Sequence, residues 1–452
     1  MITFIDIIME TKTRYSVLMF LFGLGSCLNF FLIGALSFTE LACFMIAPLL
    51  LLKNARIIQR EKVMPAVYLP FLLILGNVIV YLHGGESTLQ LVKNSALYYS
   101  IFAQVVVLYF LLRNSINSLS WYFVGLLIST YITMFVFNTH IVSAEGEQIV
   151  TYNELSIEEQ MDGILFWVLK INGILTLPVK SFYFQMPLAY SSVIGFVCMM
   201  ISLLISSSGR SAGAGMAVGS ILVLLCGKSR QKMARIGRHF VWFALIGIVS
   251  LVVLKNIYVY TAANGYLGYE AQQKYLHQVR NTSLLGVLMG GRSEFFIAAR
   301  AILDHPILGF VDGKEDKMGY RRDFLLKYGD NEDMIRHYNY TMWRLSHGEV
   351  EEIPIHSALM QFWGNSGIVG LFFWCWFLYL IFCYYKKYSM AIPQWWGPMA
   401  FSIPLSIFTV FFNPYHRGQF PLIIACILIC RATSLGFVRL PPKMELEARR
   451  YE

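Results

Sequence analysis

Apolar stretches long enough to cross a lipid bilayer recur along almost the whole chain. A helix needs about 20 apolar residues to cross the hydrocarbon core, and residues 16–52 form a run about twice that length that is interrupted near residues 34–37. We expect this run to form two spans joined by a tight turn. Ten further spans are predicted at 64–82, 89–112, 119–141, 164–180, 186–206, 211–227, 240–260, 357–384, 392–412 and 420–437. The sequence therefore predicts an all-α polytopic membrane protein with about 12 transmembrane helices.

Composition supports the same fold class. Hydrophobic residues make up 57% of the 452 residues and charged residues only 14%, whereas roughly 25% of the residues in a soluble domain are charged. The mean hydropathy of +0.57 describes the whole length and not one anchor. These values exclude a soluble globular enzyme, and lipid is the expected solvent for most of the chain.

The basic residues predict the orientation in the membrane. Lys and Arg collect in the short cytoplasmic loops of membrane proteins, and two such clusters lie at residues 53–62 (KNARIIQREK) and 228–238 (KSRQKMARIGR). An odd number of spans between residues 163 and 227 is needed to place both clusters in the cytoplasm, which favours the short span at 164–180. We expect both termini to be cytoplasmic. The net charge of +9 follows from this orientation and does not indicate a nucleic-acid partner.

Four regions follow from this topology. Residues 1–260 hold transmembrane helices 1–9, residues 261–355 form one large outer loop or cap, residues 356–438 hold helices 10–12, and residues 439–452 form a cytoplasmic tail. The outer loop mixes aromatic residues with charges of both signs, which is typical of a small folded segment. Helical patterns within it cover residues 293–303, stopped by Pro306, and residues 330–345.

Two arginines and a histidine from distant parts of the chain are predicted on the outer face. Arg210 lies in the small-residue segment SSSGRSAG, Arg292 follows two glycines at a helix start, and His356 lies where the outer loop re-enters the membrane. Exposed amides and guanidinium groups both favour an anion, and a neutral imidazole accepts a proton from a hydroxyl. The set fits a lipid diphosphate donor that is held by arginine while a hydroxyl attacks.

Each of these residues also has a purely structural interpretation, which the sequence leaves open. Arg210 would then extend its side chain to the membrane–water interface, and the glycines before Arg292 would form a capping turn. His356 would be a structural residue whose ring nitrogens are hydrogen-bonded within the protein. Arg280, eleven residues before Gly291, is a further candidate for contact with the diphosphate.

No metal site or cofactor is expected. The nine histidines show no HExxH or HxH spacing, and the eight cysteines all lie in apolar runs, where Cys behaves as a small hydrophobic residue.

In three segments the chain resembles the superfamily of O-antigen polymerases and O-antigen ligases, which are bacterial membrane glycan transferases. The segments are SSSGRSAG around Arg210, GGRSEFF at Arg292 together with DHPILGF, and IHSALMQFWGNSGIVGL at 355–371, so the resemblance covers roughly residues 190–380. It implies a GT-C-like fold with one large, partly helical periplasmic loop. The sequence departs from the family at Asn365, where members often have glutamate.

The resemblance implies a metal-independent, inverting glycosyltransferase in the bacterial inner membrane with a periplasmic active site. The implied donor is an undecaprenyl-diphosphate-linked glycan. Arg210 and Arg292, helped by Arg280, would bind the diphosphate and stabilise its charge as it leaves. His356 would act as a base toward a sugar hydroxyl, which makes His356, Arg210 and Arg292 the predicted catalytic residues.

The acceptor stays open between two enzymes, and one other class of protein remains. A polymerase for O-antigen or a related surface polysaccharide extends another lipid-linked glycan, and a degenerate match favours it because such enzymes diverge with their glycans. An O-antigen ligase transfers the glycan to lipid A-core instead. A polysaccharide flippase also needs cations in a membrane cavity, but such transporters usually show two similar halves. A chain-length regulator stays open as a protein partner.

Overall fold

The computed structural model describes most of the N-terminal third and of the C-terminal third of the chain, and the described part is mostly helical. The described residues are 11–26, 28–31, 35–84, 87–132, 139–141, 149–151, 222, 256, 257, 259–266, 272, 293–310, 315–328, 338–340, 342, 343, 345–347, 352–355, 357–413, 415 and 418–440.

Five helices are defined among the described residues of the N-terminal part. They are α1 (Thr11–Gly25), α2 (Phe38–Arg60), α3 (Met64–Leu82), α4 (Thr88–Asn114) and α5 (Leu119–Tyr131). The central helix is α4, because 72% of its apolar window is buried against other helices, compared with 17% for α2. Helices α2 and α3 pack on α4, and α1 packs on α5. Glycines permit the close approach of α1 and α5: a Cβ atom at Gly23 would lie 2.1 Å from the Tyr122 carbonyl oxygen.

The first apolar run is divided between α1 and α2 as predicted, and two short strands lie between these helices. Strands β1 (Asn29–Phe31) and β2 (Ala35–Ser37) pair antiparallel between α1 and α2. Ser37 then caps α2: its hydroxyl accepts the Glu40 N–H at 3.1 Å, and its own N–H donates to the Glu40 carboxylate at 2.7 Å. This reciprocal capping box fixes the first residue of the span.

Helix α2 continues through most of the segment predicted as a cytoplasmic loop. It ends only at Arg60, with non-helical backbone angles at Asn54. Lys, Arg and Gln are good helix formers, so the basic segment continues the helix that the apolar segment starts. Lys62 then reverses the chain with a positive φ of 54°, and α3 begins two residues later at Met64.

Six helices are fully defined among the described residues of the C-terminal part. They are α6 (Ser293–Asp304), α7 (Tyr320–Tyr328), α8 (Ala358–Ser366), α9 (Ile368–Cys383), α10 (Trp396–Phe412) and α11 (Gln419–Ser434). A π-helical turn, Tyr384–Tyr388, extends α9, and a 3-10 turn, Pro393–Trp395, precedes α10. The amphipathic pattern predicted a helix at 293–303, and α6 confirms it. The sequence did not predict α7, which Asp316 caps by accepting the N–H groups of Tyr320 and Arg321, each at 2.7 Å.

Among the described residues, five helices are long and apolar enough to cross a membrane. They are Phe38–Arg60, Met64–Leu82, Thr88–Asn114, Ile368–Tyr388 and Pro393–Phe412. The predicted spans at 64–82 and 89–112 coincide with α3 and α4. The predicted spans at 164–180 and 186–206 lie outside the described residues, as do nearly all residues of the spans at 211–227 and 240–260.

Two predicted spans were wrong in extent. In the span at 119–141, α5 covers Leu119–Tyr131, residues 133–138 lie outside the described residues, and the last three residues form strand β3 (Thr139–Ile141), which pairs antiparallel with β4 (Ile149–Thr151). Its β-branched residues suit a pleated strand better than a helix end. The span at 357–384 is two helices, α8 and α9, because Gly367 adopts a φ of 60° between them.

Buried polar contacts fix α2 and α3 on α4. The Ser100 hydroxyl donates to the Glu40 carboxylate at 2.8 Å, and the Gln104 amide donates to Ser100 at 2.8 Å. The Asn77 amide of α3 donates to the Ser95 hydroxyl at 3.1 Å. Polar groups in the hydrocarbon region are costly unless they are paired, so these contacts define how the three helices pack.

Candidate functional site

The four predicted site residues, Arg210, Arg280, Arg292 and His356, lie outside the described residues. The segments that follow two of them are described. Helix α6 starts at Ser293, directly after Arg292, and Ser357, directly after His356, is the N-cap of α8. The position of these two helix starts is therefore the structural information about the predicted site.

Helices α8 and α9 form a short antiparallel hairpin. The Trp374 indole N–H donates to the Ala358 carbonyl oxygen at 3.0 Å, and a Cβ atom at Gly370 would lie 2.0 Å from the Phe362 carbonyl oxygen. Both pairs are symmetric about Ser366, as expected when two helices run in opposite directions from a tight turn. The nine residues of α8 rise about 13 Å, less than half of the hydrocarbon thickness, so α8 does not cross a membrane by itself.

The segment DHPILGF closes over the turn of this hairpin. The Ile368 N–H donates to the Ile307 carbonyl oxygen at 2.9 Å, and the Phe310 N–H donates to the Gly364 carbonyl oxygen at 2.8 Å. The indole N–H of Trp363 donates to the Pro306 carbonyl oxygen at 2.8 Å. These three hydrogen bonds join the outer segment after α6 to the turn between α8 and α9.

Two glycines make this close contact possible. Gly309 has a φ of 78°, and a Cβ atom there would lie 2.3 Å from the Gly364 carbonyl oxygen. At Gly367, with its φ of 60°, a Cβ atom would lie 2.3 Å from the Ile307 carbonyl oxygen. A side chain at either position would force the two backbones apart, so the glycines of both sequence motifs serve one shared contact.

The starts of α6 and α8 meet at the last turn of α10. The Ser357 hydroxyl donates to the Val410 carbonyl oxygen at 3.0 Å, and the Ala358 N–H donates to the Asn413 carbonyl oxygen at 2.8 Å. Phe295, in the first turn of α6, packs on Phe412 with ring centroids 6.0 Å apart. We call this convergence of α6, α8 and the end of α10 the α6–α8–α10 junction.

A small hydrophobic cluster supports the junction. Its buried members come from α6, from the closing segment, and from both sides of residue 356: Ala298, Ala301, Ile302, Phe310, Ile353 and Met360. Ile355 and Phe295 pack against the same cluster. The residues that flank the predicted arginine and histidine are thus held by one core.

The junction presents the starts of α6 and α8, and the first turn of α6 carries the acidic residue Glu294. The Ser357 hydroxyl accepts the Met360 N–H at 3.3 Å, which satisfies one free amide of the first turn of α8. The remaining N–H groups at the start of a helix carry partial positive charge and favour an anion. Arrangements of this kind suit a phosphate group when arginine is nearby.

Sequence reasoning did not identify the buried polar pair Asn365–Ser366 as a structural feature. Asn365 is 1% exposed, and within the described structure neither its Nδ2 nor its Oδ1 atom has a hydrogen-bond partner. The Ser366 hydroxyl is also buried and unpaired there. This is the position at which the sequence carries Asn where the resemblance implies an acid, and a neutral amide is less costly to bury than a carboxylate.

A second charged cluster lies at the other end of the helices. The Glu61 carboxylate is 2% exposed, accepts a hydrogen bond from the Tyr109 hydroxyl, and is 2.8 Å from the Arg113 guanidinium. Burial alone would raise the pKa of Glu61, but the hydrogen bonds from Arg113 and Tyr109 and the charge of Arg113 outweigh it and hold the pKa below its ordinary value. The cluster joins the end of α2 to α4 and is remote from the junction.

Within the described residues, no group of three or more His, Cys, Asp or Glu side chains is arranged to hold a metal ion. The absence of a metal from the reaction stays a prediction.

Comparison with known proteins adds no relative to this picture. No protein-family model, no curated protein and no solved structure matches the chain.

Proposed function

We propose that the protein is a membrane glycosyltransferase that uses an undecaprenyl-diphosphate-linked glycan, with polymerisation of O-antigen or a related surface polysaccharide as the reaction. The proposed fold is GT-C-like with about twelve spans, and the proposed location is the bacterial inner membrane with the site at the periplasmic face. The observation that supports it is the α6–α8–α10 junction, where the segments after Arg292 and His356 meet although 64 positions separate these residues in the sequence.

In this proposal the donor diphosphate binds at the junction. Arg292 and Arg210, with Arg280, neutralise the diphosphate and stabilise the charge that it acquires as the glycosidic bond to it breaks. The N-terminus of α6 adds partial positive charge at the same place. His356 accepts the proton of the acceptor hydroxyl while the hydroxyl oxygen attacks the anomeric carbon from the side opposite the diphosphate. The products are an inverted glycosidic bond and free undecaprenyl diphosphate.

Replacing Arg210, Arg292 or His356 singly with alanine tests this proposal in cells. We expect each variant to reach the membrane in normal amount and to leave glycans of a single repeat, because the donor is neither held nor activated. Arg300→Ala is the matched control, because Arg300 is an exposed arginine of α6, the helix that starts directly after Arg292. This variant should leave glycan length unchanged. Normal glycan length in all three site variants would refute the assignment.

The fate of the glycan in a deletion strain identifies the acceptor. Loss of a polymerase leaves one repeat on lipid A-core, whereas loss of a ligase leaves long chains on undecaprenol and none on lipid A-core. A flippase would leave the lipid-linked repeat on the cytoplasmic face. Each of these outcomes gives a different ladder, so one gel of lipid-linked and lipopolysaccharide fractions separates the three.

A further inference from the structure

Cationic side chains gather where α2 and α11 end. The Arg431 guanidinium donates to the Lys62 carbonyl oxygen at 3.3 Å, and the Arg60 guanidinium lies 5.7 Å from the centre of the Phe437 ring. Phe437 itself is held against the end of α11 by a hydrogen bond from its N–H to the Ala432 carbonyl oxygen at 2.9 Å. We call Arg60, Lys62 and Arg431 the basic rim. Exposed Arg439 follows it in sequence.

Within the described residues, acidic side chains do not balance the charge of the basic rim. Glu61 is the only acidic residue among the described residues of segments 53–66, 113–119, 384–395 and 431–440, and its carboxylate is already bound by Arg113 and Tyr109. Arg60 lies 3.4 Å from Glu61, but its side chain is 61% exposed, and such contacts contribute little. Within the described structure neither Lys62 nor Arg431 pairs with an acid. Among the described residues, the rim therefore carries an excess of positive charge.

The backbone at the rim is strained. Lys62 is the one non-glycine residue in the described part of the chain with a positive φ, 54°. A side chain makes this left-handed conformation unfavourable. Hydrogen bonds from the Lys62 N–H to Gln59 and from the Val63 N–H to Ile58 hold it in place. The Arg431 guanidinium, from a residue 369 positions away in the sequence, donates to the backbone carbonyl oxygen of this strained residue.

Apolar surface continues from the rim. Leu435, beside Arg431 on the end of α11, is 51% exposed, and Leu52 on α2 is 82% exposed. Most of the apolar surface of α2 is exposed, because only 17% of its apolar window is buried. A cationic group above lipid-facing apolar surface complements a molecule with a phosphate at one end and acyl chains at the other.

We propose that the basic rim binds the phosphate headgroup of an anionic phospholipid in the leaflet on that side. Lys62 and Arg431 contact the phosphate, Arg60 adds to its field, and the acyl chains lie along the exposed apolar surface of α2. This site is independent of the proposed glycan transfer, since the junction lies at the end of α10 and the rim at the opposite end of α11, which runs back along α10.

Native mass spectrometry of the purified full chain in detergent measures this binding directly. Phosphatidylglycerol and phosphatidylcholine with identical acyl chains are titrated separately. We expect the wild-type protein to bind phosphatidylglycerol preferentially and the Lys62→Gln/Arg431→Gln variant to bind it about 25-fold more weakly, at about fivefold for each cation. The control Lys317→Gln/Arg322→Gln removes the same charge from the outer segment and should bind as the wild type does. Equal affinity of the rim variant and the wild type would overturn the proposal.

Two further arms separate charge from fold and lipid from free anion. Lys62→Arg keeps the charge at the strained turn and should bind phosphatidylglycerol as the wild type does; a loss equal to that of Lys62→Gln would overturn an electrostatic site. Glycerol phosphate in the millimolar range should fail to displace the bound lipid. Displacement by glycerol phosphate alone would identify a site for soluble anions and overturn the assignment to lipid.

Discussion

Replacing Gly370 with alanine should separate the two helices of the α8–α9 hairpin. The new Cβ atom would lie 2.0 Å from the Phe362 carbonyl oxygen, 2.2 Å from the carbonyl carbon of the same residue and 2.6 Å from the Trp363 nitrogen. All three are backbone atoms, so no side-chain rotation relieves the overlap. To restore an ordinary separation of 3.4 Å, the carbonyl oxygen has to withdraw by about 1.4 Å.

We expect Gly370→Ala to lower the free energy of unfolding by about 2 kcal/mol. Overpacking that moves a backbone costs up to about 3 kcal/mol, and the better helix propensity of alanine returns about 1 kcal/mol. Tryptophan fluorescence during thermal unfolding in detergent reports on this region, because Trp363 and Trp374 lie on the two helices. Glycan length should fall with stability, since α8 also holds the residue after His356.

Gly397→Ala is the matched control for this measurement. Among the described residues outside its own helix, no atom lies within 4 Å of a Cβ atom built at Gly397, so this variant gains helix propensity and should be as stable as the wild type or slightly more so. If Gly370→Ala unfolds at the same temperature as the wild type in the same detergent, α8 and α9 do not pack against each other at Gly370.

Three further changes test other contacts. Glu61→Gln should destabilise the protein by about 2 kcal/mol at neutral pH, because it leaves the Arg113 charge without its partner. Since the pKa of Glu61 is lowered on folding, the wild type should lose this extra stability as the pH falls below about 4.3, and the variant should not. The same dependence of stability on pH in the variant and the wild type would contradict the pairing. Gly309→Ala places a Cβ atom 2.3 Å from the Gly364 carbonyl oxygen at a residue with a positive φ, and it should lower the free energy of unfolding by about 2–3 kcal/mol. The segment after α6 should then become sensitive to limited proteolysis; a variant as resistant to protease as the wild type would refute the contact. Ser357→Ala removes two hydrogen bonds and should lower the free energy of unfolding by about 2 kcal/mol, whereas Ser357→Thr should retain the stability of the wild type. If Ser357→Ala and the wild type make glycans of equal length, the capping turn of α8 is not needed for activity.

Hydropathy predicts the regular parts of this fold well. The spans at 64–82 and 89–112 are predominantly apolar segments, and α3 and α4 begin and end within two residues of them. The amphipathic pattern of α6 and the stop at Pro306 are equally local signals. These predictions succeed because each depends only on the residues of the element itself.

Hydropathy misses breaks that leave an apolar run uninterrupted. The run at 357–384 reads as one span, yet Gly367 divides it, and the division is stabilised by a carbonyl group of Ile307, sixty positions away. The extension of α2 to Arg60 is missed for the converse reason, because charge hides a helix that continues. Long-range partners decide both cases, and a single sequence does not display them.

Arg210, Arg280, Arg292 and His356 lie outside the described residues, so their grouping into one site stays a prediction. The pattern around Arg292 and His356 predicted that distant segments act together, and the segments that follow them do meet at the end of α10. The contact between DHPILGF and the hairpin turn, and the unpaired amide of Asn365, depend on backbone geometry across the chain. No local pattern predicts them.

Turnover of a lipid-linked glycan by the purified protein is the direct test of the proposed glycosyl transfer. The protein in detergent is given undecaprenyl-diphosphate-linked repeats, and new glycosidic bonds are counted by mass spectrometry of the products. The account predicts longer lipid-linked chains and free undecaprenyl diphosphate with the wild type, and neither product with folded Arg292→Ala or His356→Ala. Unchanged repeats with the wild type, or equal elongation by both variants, would contradict it.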